Sequence, residues 1–230
     1  MSHALAVAIV YSFETGRLGG RRDAIADAAG DRGGVSYGPW QAADASGALD
    51  AVIDRYIDHG GVFANEFRDY LPMLAKSTLP LRGNKAFKAL LKKAATDPKM
   101  GQAQDAIFKL RYMDPALTAA KYLGFTTNLG FLVTLDSHVH SGSIPGFLRR
   151  RFAASPPNKG GDELVWLQQY LTARHDWLGS MPAPLPATQY RTRTMLNLLK
   201  VGNTDLAMPL NIWVGRAQLT YTSDVTLPTI

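Results

Sequence analysis

The chain has 230 residues, no cysteine and a formal net charge of +6. The missing cysteines exclude disulfides, thiol catalysis and cysteine-type zinc sites, and no run approaches the ~20 consecutive apolar residues of a membrane helix. The length suits a single domain, 1–230, with a core that needs no covalent staple. The positive charge fits either an anionic partner or plain solubility.

Taken in chain order, the pattern is mainly helical. "ALAVAIVYSFE" is apolar on every side, which predicts a buried core helix and no signal peptide. "RRDAIADAA" reads as a short amphipathic piece, and "GVSYG" as part of a small hairpin. In "ASGALDAVIDRYIDH", Leu49, Val52, Ile53, Tyr56 and Ile57 recur at helical spacing. "VFANEFRDYLPMLAK" should bend near Pro72. "NKAFKALLKKAATD" reads as a helix whose Phe87, Leu90 and Leu91 form the core side and whose lysines are solvated. "GQAQDAIFKLRYM" follows. "DPALTAAKYLG" places Asp114 as cap and Pro115 at the first helical position. "TNLGFLVTLDSHVH" is apolar again and predicts a second buried helix. "GGDELVWLQQYLTARHDWL" carries a capping signal, with Trp166 and Trp177 on its core side. The proline-rich "GSMPAPLPATQ" is a loop, and "YRTRTMLNLLKVGN" a helix stopped by Gly202.

Chemistry concentrates near the start. Glu14 closes the first apolar helix, and Asp31 opens the glycine-rich "GDRGGVSYG". Glycoside hydrolysis needs one carboxylic acid to protonate the leaving oxygen and a second carboxylate to activate water or attack. The acid wants desolvation or the negative end of a helix, and Glu14 has both. Asp31, in a solvated turn, suits an ionised base. The hydroxyl of Ser36 is placed to hold a water. A turn aspartate and a solvated helix-end glutamate are the competing readings of the same two residues.

These blocks resemble the glycoside hydrolase family 46 chitosanases of the lysozyme-like superfamily. "FETG" followed by "GDRGGVSYG" is similar to the family's catalytic glutamate and its Asp-Gly-x-Gly-aromatic-Thr turn. "GQAQDAIFKLRYMDPAL", "LGFLVTLDSHVHSG", "GGDELVWLQQYLTAR" and "LLKVGNTDLAMPLNIW" are similar to later family blocks, in family order, from about residue 10 to 216. The resemblance implies a two-lobed helical fold with a small β-hairpin at the substrate cleft. It implies an inverting mechanism with Glu14 as general acid, Asp31 as general base and Ser36 in place of a water-positioning threonine. Asp136 and Arg174 match a buried charged network behind the acid. A second arginine of that network has no clean counterpart, since Leu196 falls at its position, and Arg193, one turn earlier, is the candidate substitute. Neither metal nor organic cofactor is implied.

Substrate is read from a departure. Where the family tends to carry an acidic residue for the amine of glucosamine, this chain has Ala48. A basic protein meets an anionic polymer more easily than a polycation. The expectation is therefore hydrolysis of the peptidoglycan glycan, as in a lysozyme-type wall hydrolase. Chitosan is the alternative substrate, and an inactive glycan-binding module a further one. Tyr37, beside the catalytic turn, is the expected sugar-stacking ring, with Arg17 and Gln41 as further substrate contacts. In "DSHVH", Asp136 and His140 share a helical face while His138 points away, which favours a structural role over a metal site. No nucleic-acid partner and no membrane insertion are expected. Action outside the cell, in a periplasm or on the wall, would involve either export by another route or a leader trimmed from this sequence, with an immunity or delivery partner as a further expectation.

Overall fold

The computed structural model describes residues 3–28, 32–76 and 78–228. Asp31, the expected base, lies outside the described residues. The fold is mainly helical, as expected, and among the described residues it carries two small antiparallel sheets. The chain divides into two compact units, one of residues 1–19 and 111–230 and the other of residues 20–110.

In the larger unit, α1 (His3–Thr15) and α7 (Asn128–Ser141) are the central helices. Leu5 to Phe13 and Leu129 to His138 are buried without interruption, which is what a helix apolar on all sides must do.

The smaller unit begins with a three-stranded sheet of β1 (Ile25–Ala26), β2 (Ser36–Tyr37) and β3 (Ala42–Ala43), in the order β1-β2-β3. Ile25 pairs with Tyr37, so Ile25–Ala26, within the stretch read as a short amphipathic piece, is extended instead. Pairing with β2 satisfies its backbone where an isolated helical turn would not. Gly38, at φ +82°, lies where a Cβ would come within 2.6 Å of the Gln104 amide. The sheet is thereby pressed onto the helix carrying Gln104, whose carbonyl accepts from Trp40 Nε1 at 3.1 Å.

α2 (Ala48–Asp58) buries the five residues expected from their spacing. α3 (Ala64–Arg68) is short and gives way to a 3₁₀ turn, Leu71–Met73, that contains Pro72. α4 (Lys85–Ala94) is capped by Asn84 and turns Phe87 and Leu91 inward. Phe87, Phe67 and Tyr56 form an edge-to-face series with centroids 6.2 and 5.7 Å apart. α5 (Pro98–Phe108) is capped by Asp97, whose carboxylate also accepts from the Tyr56 hydroxyl and the Val62 N–H, both at 2.8 Å. Burial works against that carboxylate, yet the Val62 and Lys99 N–H groups and the Tyr56 hydroxyl hold it below its usual range. Asp97→Ala is expected to destabilise by about 2–4 kcal/mol, one lost cap plus a buried hydroxyl left without its acceptor. The midpoint of urea unfolding reads this directly.

A π-helical segment, Lys109–Met113, carries α5 directly into α6 (Asp114–Leu123). Asp114 is therefore not a cap: the backbone before it is already helical. After α6 and α7 come α8 (Gly146–Arg149), α9 (Glu163–Ser180) and α10 (Tyr190–Lys200). Asp162 caps α9 through the Val165 N–H, as expected. After α10 comes a hairpin of β4 (Leu210–Val214) and β5 (Ala217–Tyr221), which the sequence reading did not anticipate. Among the described residues, no helix is long and apolar enough to cross a membrane.

Candidate active site

Glu14 sits in the last turn of α1, where three separate devices hold the backbone. The Tyr221 hydroxyl of β5 donates to the Ala8 carbonyl at 2.7 Å and lies 2.7 Å from Ser12 Oγ. Both oxygens accept the Gly19 N–H, at 2.9 and 3.0 Å. The Tyr190 hydroxyl donates to the Phe13 carbonyl at 2.7 Å. The end of α1 is thus anchored from β5 and from α10, and Glu14 inherits that rigidity.

Behind Glu14 runs a chain of four charges. Glu14 Oε1 accepts from Arg191 Nη1 at 2.8 Å. Arg191 Nε donates to Asp136 Oδ1 at 2.8 Å, and Arg174 Nη1 donates to Asp136 Oδ2 at 2.6 Å. Asp136 and Arg174 are fully buried, and the Arg191 side chain is 2% exposed. The Glu14 side chain keeps 21% exposure. One end of the network therefore meets solvent and the rest is sealed. Burial alone would push the Asp136 carboxyl up, but the Arg191 and Arg174 guanidiniums hold it down at about 2. Burial likewise disfavours the Arg191 charge, and Asp136 and Glu14 more than restore it. His140, four residues past Asp136 on the same face, is pushed down to about 4 by burial and by Arg191.

The structure corrects one expected member of this network. Arg193 is exposed on α10, donates to the Gly215 carbonyl at 3.2 Å and lies over the Trp213 ring. Arg191 fills the place instead. On α10 the buried positions are Arg191, Thr194, Met195 and Leu198, with Thr192. Arg191 lies on the apolar stripe and Arg193 does not. That spacing was a signal present in the sequence.

Tyr37 also departs from expectation. Its ring is fully buried and its hydroxyl donates to the Leu91 carbonyl at 2.8 Å, so it is a core residue and cannot stack on a sugar. Ser36, its neighbour on β2, is 8% exposed and pairs with Ala26 and Ala43. Gln41 adopts φ +53° and folds its amide back onto the Gly38 carbonyl at 2.9 Å. Arg17, two residues past α1, is exposed. His138 and His140 sit on α7 as predicted, His138 with its Nδ1 2.9 Å from the Thr134 carbonyl. Among the described residues, no group of three or more His, Asp or Glu side chains is placed to hold a metal ion. Trp166 is buried, whereas Trp177 is half-buried with its ring edge-on to Phe147.

A helix-end glutamate backed by a sealed Arg-Asp-Arg relay is a specific arrangement, and the sequence around it matches a known family. The family model described as "Glycosyl hydrolase family 46" covers residues 8–210. The chain belongs to glycosyl hydrolase family 46. The match takes in Glu14, Asp31, Asp136, Arg174 and Arg191, and stops short of β5. Among curated proteins, a chitosanase of Bacillus subtilis (strain 168) is 30% identical over 124 residues, 49% of this chain. That alignment spans 45% of the relative's length. Three solved structures extend the likeness over nearly the whole fold. The native chitosanase of Bacillus subtilis MY002 matches with a TM-score of 0.80 and 22% identity, over 96% of this chain and 97% of its own. A family 46 chitosanase of Gynuella sunshinyii, in complex with chitotetraose, matches with 0.81 and 25%, over 94% and 96%. Chitosanase OU01, crystallised with substrate, matches with 0.81 and 27%, over 95% of each chain.

Proposed function

We propose that this family 46 member is an endo-acting, inverting hydrolase of a β-1,4-linked glucosamine polymer, chitosan. The observation that carries the reading is the Glu14–Arg191–Asp136–Arg174 relay, in a chain whose family match includes all four residues. Glu14 is the only member of the relay left partly exposed, so it is the one able to reach a glycosidic oxygen. In this mechanism Glu14 gives its proton to the leaving oxygen. Asp31 takes a proton from a water on the opposite face of the sugar, and Ser36 holds that water. Inversion needs the two carboxyl groups ~6.5–9.5 Å apart, enough to seat the water between acceptor and sugar.

The relatives favour chitosan over peptidoglycan. The curated and structural relatives are chitosanases, and the Gynuella sunshinyii protein was solved with chitotetraose. The charge argument for peptidoglycan used a whole-molecule quantity, whereas a bound polycation responds to charges within about a Debye length, ~8–10 Å. Ala48 is fully buried on α2, so it is in no position to meet a substrate, and its lack of charge says nothing about the choice of glycan.

Product mass spectrometry tests the reading. Incubation with chitosan is expected to yield glucosamine oligomers, with Glu14→Gln as the silent control. Incubation with purified peptidoglycan is expected to yield no muropeptides. Muropeptides from peptidoglycan and intact chitosan would overturn the assignment.

A further inference from the structure

A groove of about 440 Å³ opens on the larger unit between the C-terminal end of α10 and the β4–β5 hairpin, and none of Glu14, Asp136, Arg174 or Arg191 lines it. The register of the hairpin accounts for one wall. Trp213 stands opposite Gln218, and Asn211 opposite Thr220. Residues two apart on a strand share a face, and Leu210, Ile212 and Tyr221 occupy the buried one. Asn211, Trp213 and Gln218 are thereby set together on the other face, and all three line the groove. Asn197 and Val201 form the wall on the α10 side. They are one helical turn apart, the Val201 N–H donating to the Asn197 carbonyl at 3.1 Å, so they too share a face.

The groups in these walls are accessible. Asn197, Asn211 and Gln218 are exposed, and Val201 is 75% exposed, an aliphatic surface left in water. Asn211 Oδ1 accepts from the Thr220 hydroxyl at 2.7 Å, which fixes the amide and leaves its NH₂ as a donor. Trp213 is half-buried. The Arg193 guanidinium covers one face of its indole, 4.9 Å from the ring, but Arg193 does not line the groove. The indole surface that does line it is therefore not the one that Arg193 covers. Lys200 completes the set, and among the described residues no Asp or Glu lines the groove.

Solvated side-chain amides around an indole, with an aliphatic patch and a cation, suit a neutral sugar that carries an amide of its own. The apolar C–H face of a pyranose lies against the indole. Its hydroxyls and acetamido group meet side-chain amides that both donate and accept, and the acetyl methyl meets Val201. We propose that the groove is a second sugar site, taking N-acetylated amino-sugar units. A glucosamine unit fits poorly, because its ammonium would stand near Lys200 with no carboxylate in the walls to pair it. On a partly acetylated polymer the groove would hold acetylated blocks while other residues of the same chain are cut. That use, though not the binding, rests on the reading of the protein as a chitosan hydrolase.

The test is a binding titration that requires no turnover, so its outcome stands apart from the hydrolysis reading. The whole chain, labelled with ¹⁵N, is titrated with N,N′-diacetylchitobiose and separately with the glucosamine disaccharide. Two groups are read: the Trp213 indole Nε1–H, assigned by its loss in Trp213→Phe, and the Gln218 side-chain NH₂, assigned by its loss in Gln218→Ala. Both resonances are expected to shift with the acetylated sugar and to stay in place with the other. Asn197→Ala, at an exposed position, is expected to weaken the binding about fivefold, the loss of one hydrogen-bonding partner. An unmoved resonance at either group would overturn the proposal. So would equal shifts with the glucosamine disaccharide, or unchanged affinity in Asn197→Ala. Gln218 is exposed, so its resonance keeps the test decisive even if Trp213→Phe fails to fold.

Discussion

Glu14→Gln is expected to lower kcat on chitosan by about 10²–10⁴-fold, the range of a lost general acid, with KM little changed. The fold should survive the change. Glutamine keeps an oxygen that can accept from Arg191 Nη1, now 2.8 Å from the glutamate. Arg191 retains its partner in Asp136, so no buried charge is stranded. The backbone around Glu14 is fixed by Tyr221, Ser12 and Tyr190 through hydrogen bonds that do not use its side chain. With 21% of the side chain exposed, solvent already screens part of the charge that is lost. A melting temperature within ~2–4 °C of the parent corresponds to about 1 kcal/mol for a chain of this size. The paired measurement is release of reducing ends and calorimetry on the same sample. Near-parental kcat would remove Glu14 from the chemistry, and collapse of the fold would make it a structural residue.

Why Glu14 was legible and the arginine paired with it was not comes down to what each signal encodes. A run such as Leu5–Phe13 is apolar on every face, and only burial on every face satisfies it. A carboxylate closing that run stands out against its surroundings. Arg191 and Arg193 are two residues apart, about 200° around the helix, so one must face inward if the other faces out. The sequence reading took Arg193, one turn before Leu196, and passed over Arg191, which the stripe Arg191, Thr194, Met195 and Leu198 favours. A buried arginine breaks the rule that apolar residues define the inner face, and is legible only when the carboxylates it pairs with are also placed. Those lie 177 and 55 residues away in sequence.

The missed strands have other causes. In "LNIWVGRAQLTY" the alternation of Leu210, Ile212 and Val214 has period two, and Val214 pairs with Ala217 across a two-residue turn. Gly215 takes φ +58° there, the left-handed conformation such tight turns require. That signal was present beside a helix pattern that drew attention first. β1 is different: two residues have no period at all, and Ile25–Ala26 is a strand only because Ser36–Tyr37 lies next to it. Asp114 was read as a cap from its proline, but a π-helical segment carries the helix through that point, and its wider turn leaves no mark in composition. Tyr37 failed as a sugar contact for the opposite reason, since adjacency to the glycine-rich turn in sequence does not set which way a strand residue faces.

The second large effect falls on stability. Asp136 is fully buried between Arg191 and Arg174, at 2.8 and 2.6 Å. Removing its charge by Asp136→Asn leaves two guanidiniums in a sealed site with only Glu14, at the solvent end, to offset them. Breaking a buried pair from one side costs about 3–5 kcal/mol, and among the described residues Nε and Nη2 of Arg174 and Nη2 of Arg191 already lack a hydrogen-bond partner. Arg193→Ala, which removes an exposed cation from the same helix, is expected to cost no more than ~0.5 kcal/mol. The contrast between the two variants separates the relay from generic surface charge. The same group sets an acid limit. The Asp136 carboxyl is held at about 2 in the fold, against ~3.9 in an unfolded chain. A depressed carboxylate stabilises the fold fully above its unfolded value, and the contribution is lost as pH falls through the folded one. Between about pH 4 and pH 2 the parent should therefore lose stability more steeply than Asp136→Asn, which starts lower and has no such group to titrate. Urea midpoints measured across that window give both slopes, and parallel slopes would mean that Asp136 is not the carboxylate whose protonation loosens the core.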